Sequence, residues 1–352
     1  MRCVVATFTK RVTASCLSCP AKSHYDSRMK LTAIAVVAAS VVIAGAGKVP
    51  RMRDGHPDLS GNWTYATLTT LERPREFGTK AFLTAEEAAE YEKKTLLVQD
   101  RDRRDGEGPE GRGSDGRTDV DRAYGQAWWE YGSKIVGTRR TSLIIDPPDG
   151  RIPALTPDGE RRALDKRGLW TANNDYEGGA RGTSLDSYAD RPLQERCIGW
   201  TVTGPPMIPG AYNNNLAIYQ NADHVVVVNE MVHEHRMIPL DGRPQIASPI
   251  RLWMGSSRGR WDGDTLIVTT ANFRPMVFRS ASDKLRLTEK FLRVDADTLL
   301  YEFTVDDPLT WTKPWTAQFP MTRMDEPVYE YACHEGNYSL PNILKGARAA
   351  EK

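Results

Sequence analysis

The chain after Gly125 alternates between short apolar runs and turn residues, and this pattern restricts it to an antiparallel β fold. The runs are rich in β-branched residues and flank turns of Asp, Asn, Gly or Pro, as in β-hairpins. Hairpins are expected at 142–153, 216–231, 260–270 and 287–305, with a further strand at 315–319. We therefore predict an all-β domain over residues 125–348, an antiparallel meander of about eight to ten strands.

Closing a meander into a barrel removes its exposed strand edges. Gly61-Asn62-Trp63 resembles the Gly-x-Trp opening of lipocalin-type barrels, in which the Trp plugs the closed end. The resemblance favours a closed lipocalin-like barrel. A β-sandwich with a Trp in its first strand would show the same three residues.

Residues 47–124 are expected to form an N-terminal arm with one helix. Thr84 and Glu87 form a capping box, which predicts a helix over residues 85–98. The segment 100–122 is almost devoid of apolar residues and rich in charge and Gly, so a mobile surface loop is predicted there.

The first 46 residues have the pattern of an extension followed by a secretory signal peptide. Basic residues precede the apolar run Leu31–Ala44, and Ala44-Gly45-Ala46 is a suitable cleavage site. The alternative, a membrane anchor, needs about 20 apolar residues, whereas this run has 14. We therefore predict a periplasmic or secreted protein with no membrane span after cleavage.

Charge and cysteine content limit the partners and the compartment. The chain has 47 basic and 46 acidic residues, a balance that argues against a nucleic-acid binder. Removing residues 1–46 takes away three of the five cysteines and leaves Cys197 and Cys333. An isolated pair in an oxidising compartment favours a disulfide, with two separate buried thiols as the alternative.

No Gly-x-Ser-x-Gly, phosphate loop, Rossmann fingerprint or His-Glu-x-x-His sequence occurs, so we predict no cofactor. The segment 229–236 instead carries two imidazoles, two carboxylates and a guanidinium. His233 is the candidate general base, Glu230 its partner acid, and Arg236 a group that holds a substrate anion. The alternative is a metal half-site of His233 and His235, which would share one face of a regular strand.

A second polar cluster covers residues 329–338 and contains His334, a candidate partner acid that a disulfide at Cys333 would hold in place. Aromatic and amide groups suit a pocket for a sugar or a phenolic ring. The candidate substrate-binding residues are Trp128, Trp129, Tyr212, Asn213 and Asn214. Core packing and turn formation are the alternative roles for these residues.

Several stretches resemble a large uncharacterised family of exported soil-bacterial proteins. They include PDLSGNW (57–63), RTSLIIDPPDGRIP (140–153), VVNEMVHEHRMIPLDGR (227–243) and YEYACHEGNY (329–338). In that family the position of His235 often holds a small residue, whereas that of His233 keeps its imidazole. The resemblance therefore implies that His233 is the base, and it brings no activity of its own.

These observations favour an exported enzyme that performs acid–base chemistry, namely elimination, isomerisation or hydrolysis, on a small polar or aromatic molecule. The first alternative is a lipocalin-like carrier whose cavity is lined by Trp128, Trp129 and Tyr212. The second is a structural or surface-interaction protein without an enclosed cavity.

Overall fold

The computed structural model of the protein describes residues 48–100, 102, 125–164, 184–200, 202–211 and 213–351, with every side chain in them except that of His233. The predicted signal segment 1–46, nearly all of the predicted loop 100–122 and Tyr212 lie outside the described residues.

Ten strands and three α-helices are present in the described part of the chain. The strands are β1 (Gly61–Thr64), β2 (Ile144–Asp146), β3 (Asn215–Gln220), β4 (His224–Asn229), β5 (His235–Pro239), β6 (Ser256–Asp262), β7 (Thr265–Ala271), β8 (Arg286–Arg293), β9 (Thr298–Asp306) and β10 (Trp315–Met324). The helices are α1 (Ala85–Gln99), α2 (Pro157–Ala163) and α3 (Ser339–Ala350).

All ten strands belong to one sheet in the order β5-β4-β3-β1-β10-β9-β8-β7-β6, with β2 also paired to β10. Every pairing is antiparallel, which confirms the predicted fold class. The order is not a pure meander, because β1 lies between β3 and β10. The prediction of a hairpin at 142–153 is wrong, because β2 pairs with β10 through Asp146↔Thr316 and Ile144↔Ala317.

Strand alternation places the core on one face of the sheet. In β9 the residues Leu299, Tyr301, Phe303 and Val305 are all fully buried, while their neighbours are partly exposed. Trp63 is also fully buried, and its ring nitrogen donates to the Leu59 carbonyl at 3.0 Å.

The sheet curls until its two outer strands, β5 and β6, lie side by side. A Cβ on Gly259 of β6 would lie 2.5 Å from the Leu240 side chain and 2.9 Å from that of Ile238, so a larger residue there would displace these two side chains. No β-ladder joins β5 to β6. The sheet is therefore not closed, and the prediction of a closed barrel is not confirmed.

The helix predicted at 85–98 is α1, one residue longer at its C-terminus. Thr84 Oγ1 accepts from the Glu87 N–H at 3.2 Å, and the Glu87 carboxylate accepts from the Thr84 N–H at 2.9 Å, as the capping box requires. The helices α2 and α3 were not predicted. None of the described helices has the length and apolar content to cross a lipid bilayer.

The predicted disulfide is confirmed: Cys197 and Cys333 are bonded, with their Cα atoms 5.7 Å apart. The bond closes a loop of 136 residues. In the chain-entropy account such a loop adds about 5 kcal/mol to the free energy of unfolding. The disulfide ties the segment before α3 to the segment before β3.

Candidate functional site

The two edge strands of the sheet, β5 and β6, run in the same direction where they lie side by side. Eight antiparallel pairings lie between β5 and β6, and an even number of reversals leaves these two strands parallel. The antiparallel ladder used elsewhere in the sheet therefore does not continue between them. We call the boundary between β5 and β6 the seam.

A cleft of about 600 Å³ opens at the start of both seam strands, a size typical of small-molecule sites. We call it the seam cleft. It is lined by Cys197, Ile198, Glu234, His235, Arg236, Met237, Pro239, Leu252, Trp253, Met254, Gly255, Ser256, Ser257, Arg258 and His334.

The seam cleft brings together three residues that were singled out from two distant parts of the sequence. His235 and Arg236 line it from β5, and His334 lines it from the segment after the disulfide. Both imidazoles are exposed, so each is accessible to a molecule in the cleft. The disulfide to Cys197, another lining residue, fixes the backbone next to His334.

Arg236 already holds an anion, because it forms a buried ion pair with Glu289 of β8. Its two terminal nitrogens donate to the Glu289 carboxylate at 2.6 and 2.9 Å, and both side chains are at least 95% buried. Tyr301 donates its hydroxyl to the same carboxylate at 2.8 Å. Of the three guanidinium nitrogens of Arg236, Nε is the one without an acceptor among the described residues. The predicted role of Arg236 in holding a substrate anion would therefore depend on Nε alone.

The electrostatics of this buried group favour permanent charge on Arg236. Burial alone would lower the pKa of Arg236, but the charge and hydrogen bonds of Glu289 raise it above its ordinary value. Burial is also the main reason that the pKa of Tyr301 lies well above its ordinary value. The tyrosine therefore stays protonated and acts as a donor to Glu289.

Glu230 does not line the seam cleft and instead belongs to a buried carboxylate pair at the end of β4. The amide nitrogen of Asn215 donates to Glu230 at 2.7 Å and to Glu130 at 3.3 Å. Burial and, after it, the negative charge of Glu230 raise the pKa of Glu130. Glu230 thus does not line the cleft that His334 lines, although it accepts from the Tyr329 N–H at 3.2 Å, and its role as partner acid stays a prediction.

The strand that carries these residues is interrupted, which overturns the expected geometry of the two histidines. The strand β4 ends at Asn229, and a short turn, Met231–His233, precedes β5. Within that turn Val232 has φ 62° and ψ 9°, a left-handed conformation that a β-branched residue rarely adopts. His233 and His235 thus do not share a face of one regular strand, and the part of His233 in any site stays a prediction because its side chain is not described.

Tyr212 lies outside the described residues, so the predicted aromatic and amide pocket stays a prediction. Asn214 is fully buried and uses its amide on backbone groups, donating to the Glu130 carbonyl at 2.7 Å and accepting from the Gly210 N–H at 2.7 Å. Trp129 stacks on Tyr131 with ring centroids 5.5 Å apart. Trp128 is largely exposed. None of these residues, nor Asn213, lines the seam cleft.

No set of three or more His, Cys, Asp or Glu side chains that could hold a metal ion occurs within the described residues. The alternative of a metal held by His233 and His235 stays a prediction, because the side chain of His233 is not described.

Several residues of the site were missed by sequence reasoning. Trp253, Ser256 and Arg258 line the seam cleft without having been singled out. Glu289 was also missed, although a signal existed: in β8 it occupies an inward position between Leu287 and Phe291. A carboxylate at an inward strand position predicts a buried partner of opposite charge.

Comparisons of the chain with protein-family models, with curated proteins and with solved structures found no match. The candidate site is therefore interpreted from its own geometry.

Proposed function

We propose that this protein is an exported enzyme that performs acid–base chemistry on a small polar or aromatic molecule bound in the seam cleft. The observation that carries this proposal is that His235 and His334 line one cleft, although about a hundred positions separate them in the sequence. His334 and His235 would transfer protons to and from the bound molecule, and no nucleotide or metal cofactor is invoked.

The chemistry of the lining residues supports proton transfer. Imidazole titrates near neutral pH, so two imidazoles beside one ligand can act as base and acid in the same turnover. Ser256, whose hydroxyl accepts from Arg258 at 3.2 Å, adds a hydroxyl beside them. Elimination, isomerisation and hydrolysis are reaction types in which a base and an acid of this kind transfer the protons.

A carrier of the lipocalin type is less well supported, because it needs a cavity inside the curled sheet. In the described residues this interior is packed with rings such as Tyr301, Phe303 and Phe319, whose centroids lie 5.2 to 5.8 Å apart along the series. The Arg236–Glu289 pair is also buried there. Stoichiometric binding at the seam cleft without conversion is the competing outcome.

Export is part of the proposal on two grounds. The segment 1–46 has the pattern of a signal peptide, and the disulfide between Cys197 and Cys333 suits an oxidising compartment. Detection of the processed chain outside the cytoplasm, with residues 1–46 removed, is the direct measurement.

The enzymatic proposal is tested by incubating the mature protein with phenolic and sugar-derived metabolites and following their conversion by mass spectrometry. For any compound converted, His334→Gln and His235→Gln are compared with wild type. Loss of a positioned acid or base should lower turnover about a hundredfold or more. His233→Gln tests, in the same assay, whether His233 is the general base that the sequence predicts.

His224→Gln is the matched control, because His224 is a described histidine of β4 that does not line the cleft. It should retain turnover within about twofold, as a side chain remote from the chemistry does. If both cleft histidines can be replaced with a fall of less than about tenfold, acid–base work at this site is excluded.

A further inference from the structure

Three arginines in or beside the seam cleft have no carboxylate partner among the described residues. Arg258 lines the cleft and donates only to uncharged acceptors among the described residues: the Arg243, Pro244 and Ser257 carbonyls at 3.2, 2.9 and 2.6 Å and the Ser256 hydroxyl at 3.2 Å. Arg196 and Arg274 form no ion pair with any described residue, and the Nε of Arg196 is buried without an acceptor. The described ion pairs of the protein thus leave these three charges uncompensated.

Arg196 and Arg274 are gathered at one ring that lines the cleft. The guanidinium carbon of Arg274 lies 4.8 Å from the ring centroid of Trp253, and that of Arg196 lies 5.9 Å from it. A cation over an indole face is attracted by the ring quadrupole, which holds both arginines beside the cleft wall.

The opposing negative charge in the cleft is small. Glu234 is the one carboxylate among the lining residues, since Glu289 is committed to Arg236. Of the three arginines only Arg258 lines the cleft, while Arg196 and Arg274 add two positive charges beside its Trp253 wall. Guanidinium groups placed in this way can bind a planar anion through paired hydrogen bonds.

Several of the other lining residues are apolar. Trp253 is half-buried and offers a ring surface, and Ile198, Leu252 and Met254 extend that wall. A ligand that satisfies the whole cleft therefore combines an anionic group with a flat apolar body.

We propose that the seam cleft binds an aromatic carboxylate, whose ring packs against Trp253 and whose carboxylate is held by Arg258 and Arg274. The inference rests on the seam cleft as the site of the proposed function and names the class of its substrate. It requires no role for His235 or His334 in binding, so its success does not depend on catalysis.

Isothermal titration of the mature protein tests the proposal with benzoate, 4-hydroxybenzoate, cinnamate and 1-naphthoate. Each is compared with its neutral amide, which keeps the ring and removes the charge, and benzoate also with cyclohexanecarboxylate, which keeps the charge and removes the aromatic ring. At least one carboxylate should bind roughly tenfold more tightly than its amide. Benzoate should bind about threefold to tenfold more tightly than cyclohexanecarboxylate, because an aromatic contact contributes a free energy of that size.

Variants locate the binding on the protein. Arg274→Gln and Trp253→Leu should each weaken the tightest carboxylate about threefold or more. Arg274 is exposed, so its replacement is not expected to unfold the protein. Arg260→Gln is the matched control: it lies on the same strand as Arg258, is exposed and does not line the cleft, and it should leave affinity unchanged.

Three results would each overturn the proposal. The first is that no carboxylate binds at about 10 mM, and the second is that the amides bind as tightly as their carboxylates. The third is that inorganic phosphate binds as tightly as the tightest aromatic carboxylate. The outcome for the proposed function is separate. Carboxylates that bind selectively but are never converted, with His334→Gln unchanged in affinity, would leave the ligand class intact and remove the enzyme. Conversion of neutral compounds only would support the enzyme and remove the aromatic carboxylate as its ligand class.

Discussion

Replacing Glu289 by Gln is expected to lower the free energy of unfolding by about 3–5 kcal/mol, the cost of leaving a buried charge without its partner. The carboxylate accepts two hydrogen bonds from Arg236, at 2.6 and 2.9 Å, and one from Tyr301 at 2.8 Å. A glutamine keeps one acceptor oxygen, but its NH2 group then faces a donor. At least one charge-assisted hydrogen bond, worth about 1.5–3 kcal/mol, is lost, and the Arg236 charge is left unbalanced.

Two further variants separate this explanation from a general intolerance of the core. Arg236→Met combined with Glu289→Met removes both charges, and it should cost about 2 kcal/mol or less because only the Tyr301 hydroxyl loses an acceptor. Lys290 of β8 and Glu302 of β9 form an ion pair at 2.7 Å, and Glu302→Gln should change stability by less than about 1 kcal/mol.

The assay is equilibrium unfolding in urea, followed by tryptophan fluorescence and by circular dichroism with the disulfide intact. Coincident transitions by the two probes establish that one free energy describes the whole change. The reasoning fails if Glu289→Gln costs less than about 1.5 kcal/mol, or if the double variant is as unstable as the single one.

The pKa of Glu130 is raised above its ordinary 4.5 by burial and then by the charge of Glu230. The folded state thus holds this proton more tightly than the unfolded chain does, so the free energy of unfolding should fall as pH rises from 4.5 through the raised pKa. Glu130→Gln should reduce this pH dependence and stabilise the protein at pH 7. Unfolding titrations across this pH range measure both effects. Gly259→Ala should cost about 1–3 kcal/mol in urea unfolding, because the new methyl group would overlap Leu240, whereas Gly137→Ala, with open space around its Cβ position, should be near neutral. Replacing both cysteines of the disulfide by serine should lower the free energy of unfolding by about 4–5 kcal/mol, and an unchanged midpoint would contradict the loop-entropy argument.

Local patterns predicted those elements whose partners are neighbours in the sequence. The hairpin of β8 and β9 follows from alternation on both sides of Asp295-Ala296-Asp297, and α1 follows from its capping box. In each case the residues that decide the structure lie within a few positions of one another.

The elements that were missed depend on distant contacts or on breaks in pattern. The partner of β2 is β10, about 170 positions away, and nothing local to β2 distinguishes that pairing from a hairpin. Helix α3 contains Pro341, which reads as a helix breaker. It lies in the first turn, where its missing N–H has no helical acceptor in any case.

The same limit explains why the site was predicted only in part. The sequence placed imidazoles in two clusters, but their meeting at the seam cleft depends on how far the sheet curls and on the disulfide. The interruption at Val232 has no signal in the sequence, because a β-branched residue in a valine-rich run reads as continued strand.

The seam also gives a physical reason why polar side chains collect there. The bonds from Asn229 N–H to Glu234 and from Leu240 N–H to Asp223 flank β5, so by antiparallel alternation the backbone groups of His235, Met237 and Pro239 face the seam. An unpaired edge of this kind needs polar partners or protection. Pro239 has no N–H to expose, and on β6 the Arg258 guanidinium covers the Ser257 carbonyl. Polarity at the seam is thus required by the backbone before any ligand is considered, and histidine and arginine side chains reside there without the desolvation cost that Arg236 and Glu289 bear in the core.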